Sequence, residues 1–127
     1  MRILVILLFT LNITACESVI EKQLESKVVH IVLIWLKEQG NEQHIQQIID
    51  ATQQLKEIAK IKELRVGESI VSDRKIVDAS FDVGLYMIFD SNDAMQDYLV
   101  HPKHEHAVRT IIKPLASKIR VHDFISM

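Results

Sequence analysis

The segment Lys27–Leu36 (KVVHIVLIWL) constrains the fold more than any other in this chain. Its β-branched and aliphatic residues favour a strand, in which successive side chains point to opposite faces. Val28, Val32, Ile34 and Leu36 then share one face, and Val29, Ile31, Leu33 and Trp35 share the other. Both faces are apolar. A strand of this kind sits inside a sheet that must be covered on both sides, which a lone hairpin or an open half-wet sheet cannot provide.

The residues that follow supply the covering layer. Gly40-Asn41 punctuates the chain, with Asn41 placed to cap a helix. From Glu42 to about Lys62, Ile45, Ile48, Ile49, Leu55, Ile58 and Ala59 recur at helical spacing among Glu, Gln and Lys, predicting an amphipathic helix. Glu63–Val71 is expected as a second strand, with Leu64, Val66 and Ile70 on one face, and Ser72–Ala79 as an exposed loop. Ser80–Phe89 is expected as a third strand that alternates Phe81, Val83, Leu85, Met87 and Phe89 against Asp82, Gly84, Tyr86 and Ile88. Ser91-Asn92-Asp93 offers cap chemistry for a short helix through Leu99. Pro102 fits the first turn of another helix running to about Lys118, which Pro114 should bend or end early. Ile119–Ile125 is the last strand. This strand–helix–strand–strand–helix–strand order predicts an α+β, ferredoxin-like βαββαβ sandwich, with an antiparallel sheet and helices on one face. The uncovered face then buries itself against a second copy, giving a homodimer, or else forms an apolar ligand groove in a monomer.

The N-terminus reads as a separate unit. Residues 1–15 (MRILVILLFTLNITA) carry one positive charge, a largely apolar run and a small residue at the end, the pattern of a secretory signal peptide. The run Ile3–Leu11 spans about 13 Å as a helix, too short to cross a bilayer core of roughly 30 Å. Ile13-Thr14-Ala15-Cys16 resembles a bacterial lipobox, and that likeness implies cleavage before Cys16 and lipidation of its thiol. Two or more acyl chains hold a protein on a membrane stably, because each buried CH₂ contributes about 0.8 kcal/mol. The expected organisation is a signal peptide over 1–15, the lipidated Cys and a tether over 16–26, and one domain over 27–127. Lipid anchoring places that domain in the cell envelope, facing the periplasm or the exterior. Glu17, rather than Asp, after the Cys resembles lipoproteins that proceed to the outer membrane of Gram-negative bacteria, which implies that destination if the cell is Gram-negative.

Composition narrows the chemistry by exclusion. With 15 Lys and Arg against 17 Asp and Glu, the chain lacks the basic excess that nucleic-acid binding requires. A single Cys leaves no disulfide framework and no Cys-rich metal cluster. Three widely spaced Gly residues leave no phosphate-binding or dinucleotide-binding loop, so no cofactor is expected.

Three stretches carry a family resemblance. Val28-Val29-His30-Ile31-Val32-Leu33 resembles the opening V-x-H-I-V-L strand of the stress-responsive A/B barrel domain family, also called Dabb or dimeric α/β barrel proteins. Tyr98-Leu99-Val100-His101-Pro102-Lys103-His104 resembles its Y-x-x-H-P-x-H signature. Ile111-Ile112-Lys113-Pro114-Leu115 with Val121-His122-Asp123-Phe124 resembles its closing helix and strand. The resemblance spans about Lys27 to Ile125. It implies a dimer in which two sheets close a barrel, and most members have no assigned reaction. In enzymatic relatives, the plant polyketide cyclases, the Tyr and the second His of the signature act on the substrate; these positions are Tyr98 and His104 here. The pocket His of the first strand is matched by His30. A further pocket His of the third strand is absent, with Val83 in its place.

Six His residues are present, three of them in His101-Pro102-Lys103-His104-Glu105-His106. In the first turn of a helix opened by Pro102, His104 meets the positive end of the helix dipole, which favours neutral imidazole and hence a proton acceptor near pH 7. His104 and Tyr98 are therefore the candidate catalytic pair, for proton abstraction next to a carbonyl. His30, Tyr86 and His101 are candidate ligand-binding residues. Alternative structural roles stand beside these: His101 as a helix cap, His104 bonded to backbone between two helices, His30 as a satisfied core or interface residue, and Tyr86 as barrel or interface packing. No metal site is expected, because His104 and His106 point about 200° apart on one helix. Two functions remain open. One is a lipid-anchored dimer that binds a small apolar ligand or serves a stress response; the other is a cyclase- or isomerase-like enzyme. An enclosed pocket reached by both His104 and Tyr98 favours the second, whereas a barrel filled with side chains excludes it.

Overall fold

The computed structural model describes residues 26–127. The leader, Cys16 and most of the tether lie outside them. β1 (Lys27–Leu36) is the second-to-last strand of a four-stranded antiparallel sheet with order β2-β3-β1-β4, where β2 is Glu63–Glu68, β3 is Val83–Phe89 and β4 is Ala116–Ser126. This is the ferredoxin-like α+β fold that the element order predicts. α1 (Glu42–Gln54) and α2 (Asn92–Leu99) are helices. α3 (Pro102–Ala107), a π-helical turn (Val108–Ile112) and α4 (Lys113–Leu115) follow one another with helical backbone at each junction.

The caps form as the residue types dictate. The Asn41 side chain accepts from His44 N–H at 3.1 Å, and the Ser91 hydroxyl accepts from Ala94 N–H at 3.1 Å. The helices bury Ile45, Ile48, Leu55, Met95, Tyr98, Ala107 and Ile112 against Val28, Ile34, Leu36, Leu64, Leu85, Met87 and Phe89. Each fully buried side chain of this size contributes roughly 1.5–3 kcal/mol. The core therefore lies wholly between helices and sheet. On the far side, Val29, Ile31, Leu33 and Trp35 stay half-buried, and Phe124 of β4, paired with Val29, is exposed.

Several boundaries differ from expectation, each for a local reason. The first helix stops at Gln54, tightens into a 3-10 turn at Leu55–Glu57 and becomes extended at Ile58. That turn lets Ile58 bury and brings Lys62 N–H onto Ile88 O at 2.9 Å, starting the ladder between β2 and β3. β2 ends at Glu68, not Val71, because Glu68 pairs with Val83 at the first residue of β3, and β2 is an edge strand. Ile70 and Val71 are consequently exposed.

β3 begins at Val83 rather than Ser80. Asp82, expected to alternate outward, is buried, and its two carboxylate oxygens accept from Leu36 N–H and Gly40 N–H at 2.7 Å each. Those donors lie beside the bulge between Trp35 and Leu36 and in the turn that follows β1, where a regular ladder does not serve them. Phe81 is thereby turned to the outer face, edge-on to Trp35, and does not join the core with Val83. Gly84 makes room for it: a Cβ there would stand 3.0 Å from Phe81 Cε2.

The last helix ends at Leu115, one residue past Pro114 and short of Lys118, the early end that the proline predicts. Lys113 N–H bonds Val108 O, the i→i+5 spacing of a π turn, and the helix runs to Leu115. The extra residue relieves the turn ahead of a proline, which has no N–H to donate. β4 then starts at Ala116, three residues earlier than expected.

Candidate active site

β1 places His30 on the helix-facing side of the sheet. The antiparallel register sets it directly across from Asp123 of β4. His30 is 4% exposed, and its Nδ1 lies 2.6 Å from Asp123 Oδ1. The carboxylate accepts, so Nδ1 carries the hydrogen and Nε2 is left for the interior.

The Y-x-x-H-P-x-H stretch folds back over this point. α2 ends at Leu99, and Val100 and His101 turn the chain into α3. His101 Nδ1 accepts from Lys103 N–H at 3.2 Å, so His101 caps α3 ahead of Pro102. His104, in the first turn of α3, donates from Nδ1 to Leu99 O at 2.8 Å, because a carbonyl can only accept. This fixes the imidazole as its Nδ1–H tautomer and leaves Nε2 as a proton acceptor. Burial holds the His104 pKa below the usual histidine range, outweighing the bond to Leu99. His104 is therefore a neutral base at pH 7.

Tyr98 lies between the two imidazoles. Its ring centroid is 4.4 Å from that of His104 and 6.1 Å from that of His30, and Phe89 packs on it at 5.2 Å. It is 2% exposed, and burial pushes its hydroxyl far above the usual tyrosine range, so it stays a neutral donor. Among the described residues the hydroxyl has no hydrogen-bond partner.

All three side chains line one cavity of about 330 Å³ between helices and sheet. Apart from Thr52 and Lys113, its remaining walls are apolar: Val32, Ile34, Leu85 and Met87 from the sheet, Leu55, Leu99, Val108 and Ile112 from the helical side, and Ile119 and Val121 from β4. A hydroxyl donor beside a neutral imidazole in such surroundings can polarise a carbonyl and accept the proton next to it. The volume falls at the low end of small-molecule pockets.

Of the residues singled out in the sequence, His30, Tyr98 and His104 are brought together. His101 is a helix cap and does not line the cavity. Tyr86 is on the opposite face of the sheet, where its hydroxyl donates to Glu63 Oε1 at 2.7 Å, because residues of β3 alternate and Leu85 and Met87 take the cavity side. Val83, the replacement for the family's third-strand His, is fully buried and also outside the lining. Among the described residues no three His, Cys, Asp or Glu side chains converge as metal ligands would.

Three residues escaped sequence reading. Asp123 was legible only through the pairing of first and last strands that this fold imposes. Thr52 occupies the position between Ile48 and Leu55 in the apolar stripe of α1; it lines the cavity, and its buried Oγ1 has no hydrogen-bond partner among the described residues. A polar residue inside a core stripe was its signal. Lys113, also in the lining, is rotated into place by the π turn.

An α+β sandwich of this order with a His-, Tyr- and His-lined cavity under its helices defines a class, and comparison with known proteins supplies the family. Residues 28–126 match the model of the Stress responsive A/B Barrel Domain, and the chain belongs to that family. Solved structures agree on the fold. A Dabb family protein with a ferredoxin-like fold from Mesorhizobium loti superposes with a TM-score of 0.66 at 21% identity, covering 80% of this chain and 98% of that one. A dimeric ferredoxin-like protein of unknown function from Thermobifida fusca gives 0.65 at 22% identity, over 81% and 93%. The hydroxynitrile lyase of Passiflora edulis gives 0.70 at 24% identity, over 81% and 95%. No curated protein sequence matches the chain.

Proposed function

We infer that this chain works as a homodimeric, lipid-anchored module of the bacterial envelope that takes a small apolar compound bearing a carbonyl or hydroxyl into the cavity under its helices. The observation that carries this reading is the convergence of His30, Tyr98 and His104 on a mostly apolar cavity of about 330 Å³. A core shaped only for stability fills such space with side chains, since voids and unpaired polar groups both cost stability. Dimerisation is supported by the apolar outer face of β1 and by the relatives described as dimeric ferredoxin-like proteins. Anchoring is supported by the leader and Cys16 in the sequence.

A second reading, catalysis, is favoured by the cavity that Tyr98 and His104 both reach and by the fixed tautomer of His104. An imidazole that presents Nε2 as a base beside a tyrosine hydroxyl is equipped for proton transfer at a carbonyl compound, in cyclase- or isomerase-like chemistry. That a structural relative is a hydroxynitrile lyase agrees with a fold able to host such a site.

Native mass spectrometry of the full-length protein released from membranes tests the first reading in one spectrum. The expected result is a dimer with a diacyl mass on Cys16 and a small co-purifying molecule. An unmodified Cys16 with an intact N-terminus would overturn the anchoring. A monomer would overturn the dimer. Turnover is tested by following solvent deuterium exchange next to a ketone, which His104→Gln should abolish.

A further inference from the structure

We propose that the cavity selects an anionic ligand, a carboxylate whose acid group is held by Lys113 and whose carbonyl or hydroxyl lies at the far end, against Tyr98 and His104. The proposal rests on the reading of this cavity as a ligand site. It names the ligand class.

Residues that carry polar groups enter the lining at two places. His104 stands in the first turn of α3 and Lys113 nine residues later, at the start of α4, and both line the same space. Nine helical residues at about 1.5 Å each separate them by roughly 13 Å. The sheet repeats that length. His30 and Ile34 of β1 both line the cavity, four residues apart, which is about 13 Å at ~3.3 Å per residue. Ile34 belongs to the Lys113 end, because the end of β1 meets the end of the helix: Lys37 N–H donates to Leu115 O at 2.9 Å, and Lys37 Nζ donates to Pro114 O at 2.7 Å. Val32, Leu85, Val108 and Ile112 wall the stretch between.

Lys113 reaches this space because of the π turn. In an unbroken α-helix, nine residues would rotate it about 180° away from His104. The Lys113 N–H to Val108 O bond under-winds that turn and swings Lys113 back toward the cavity side. Lysine near a helix C-terminus is common, since it complements the helix dipole. Here, however, the Pro114 and Leu115 carbonyls are already served by Lys37. The Lys113 ammonium has no ion-pair partner among the described residues, and the cavity lining includes no Asp or Glu. Lys113 is exposed and contributes to the wall of the same cavity as the neutral donor and acceptor, an arrangement that suits a chain with an acid at one end and a carbonyl or hydroxyl at the other.

The test compares 7-oxooctanoate with its neutral isostere 7-oxooctanamide, titrated into the full-length protein and followed by calorimetry. The wild type should bind the acid roughly fivefold more tightly than the amide, as expected for a partly exposed ion pair. Lys113→Gln should remove that preference and leave amide affinity within twofold, while Lys113→Arg should retain it. Tyr98→Phe should weaken both ligands equally. A preference for the acid that survives Lys113→Gln, or no preference in the wild type, would overturn the role of Lys113 while the cavity reading stood. Failure of both ligands to bind would overturn the cavity reading and this proposal with it.

Discussion

Tyr98→Phe separates a residue kept for a ligand from one kept for the fold. In a structural role, a buried tyrosine hydroxyl is hydrogen-bonded, and its removal leaves a partner unsatisfied at a cost of about 1–3 kcal/mol. The Tyr98 hydroxyl has no such partner among the described residues, while its ring is held on three sides by Phe89, His30 and His104. Phenylalanine keeps every ring contact. Removing a polar atom from an apolar cavity then changes stability by between zero and about +1 kcal/mol. For a domain of about a hundred residues that corresponds to a rise in Tm of up to roughly 4–8 °C. Affinity should move the other way, falling about tenfold through loss of one hydrogen bond of roughly 1.4 kcal/mol to the ligand carbonyl. Chemical denaturation, differential scanning calorimetry and the titration with 7-oxooctanamide measure the three quantities. A variant destabilised by more than 1 kcal/mol would refute the reasoning, because the hydroxyl would then be bonded within the fold. So would a variant with undiminished ligand affinity.

Asp82→Ala should cost about 2–4 kcal/mol in urea unfolding, since it strips the acceptor from both Leu36 and Gly40 N–H in a buried setting. Gly84→Ala should cost about 1 kcal/mol by pushing the Phe81 ring off Trp35, visible as a shift in Trp35 fluorescence. Phe124→Asp combined with Ile31→Asp places charge on the outer sheet face and should yield folded monomers in light scattering; an intact dimer would contradict burial through that face. On the pH axis, the lowered pKa of His104 in the folded state means the unfolded chain binds a proton first as pH falls. Its contribution is therefore present above the ordinary histidine value and is lost as pH drops through that value toward the lowered one. His104→Gln should flatten that part of the profile.

Much of the fold was legible because the deciding residues act locally. Lys27–Leu36 forms β1 at the expected bounds, and Asn41, Ser91 and Pro102 start helices where their side chains dictate. What failed depended on contacts between distant parts. Ser80–Phe89 looked like a continuous alternating strand, yet Asp82 is drawn inward by two backbone donors some forty residues earlier, and Phe81 turns over as a result. The site divides along the same line. His30, Tyr98 and His104 were recognisable from the spacing of a known signature, and the cavity joins them. Tyr86 lies on the outer face of β3, since Leu85 and Met87 take the cavity side, and residue spacing alone does not say which of the two faces the helices cover. Asp123 and Lys113 needed, respectively, the register between β1 and β4 and the π turn, and neither can be derived from residue spacing alone.

The central claim is that His104 offers a neutral Nε2 to a ligand in the cavity beneath it. Nitrogen-resolved NMR of the histidine side chains in the full-length protein addresses it most directly. At pH 7 His104 should appear as the Nδ1–H tautomer, and adding 7-oxooctanamide should shift its Nε2 together with resonances of His30 and Tyr98. A His104 that is imidazolium at pH 7, or that stays unmoved while the ligand binds elsewhere, would contradict it.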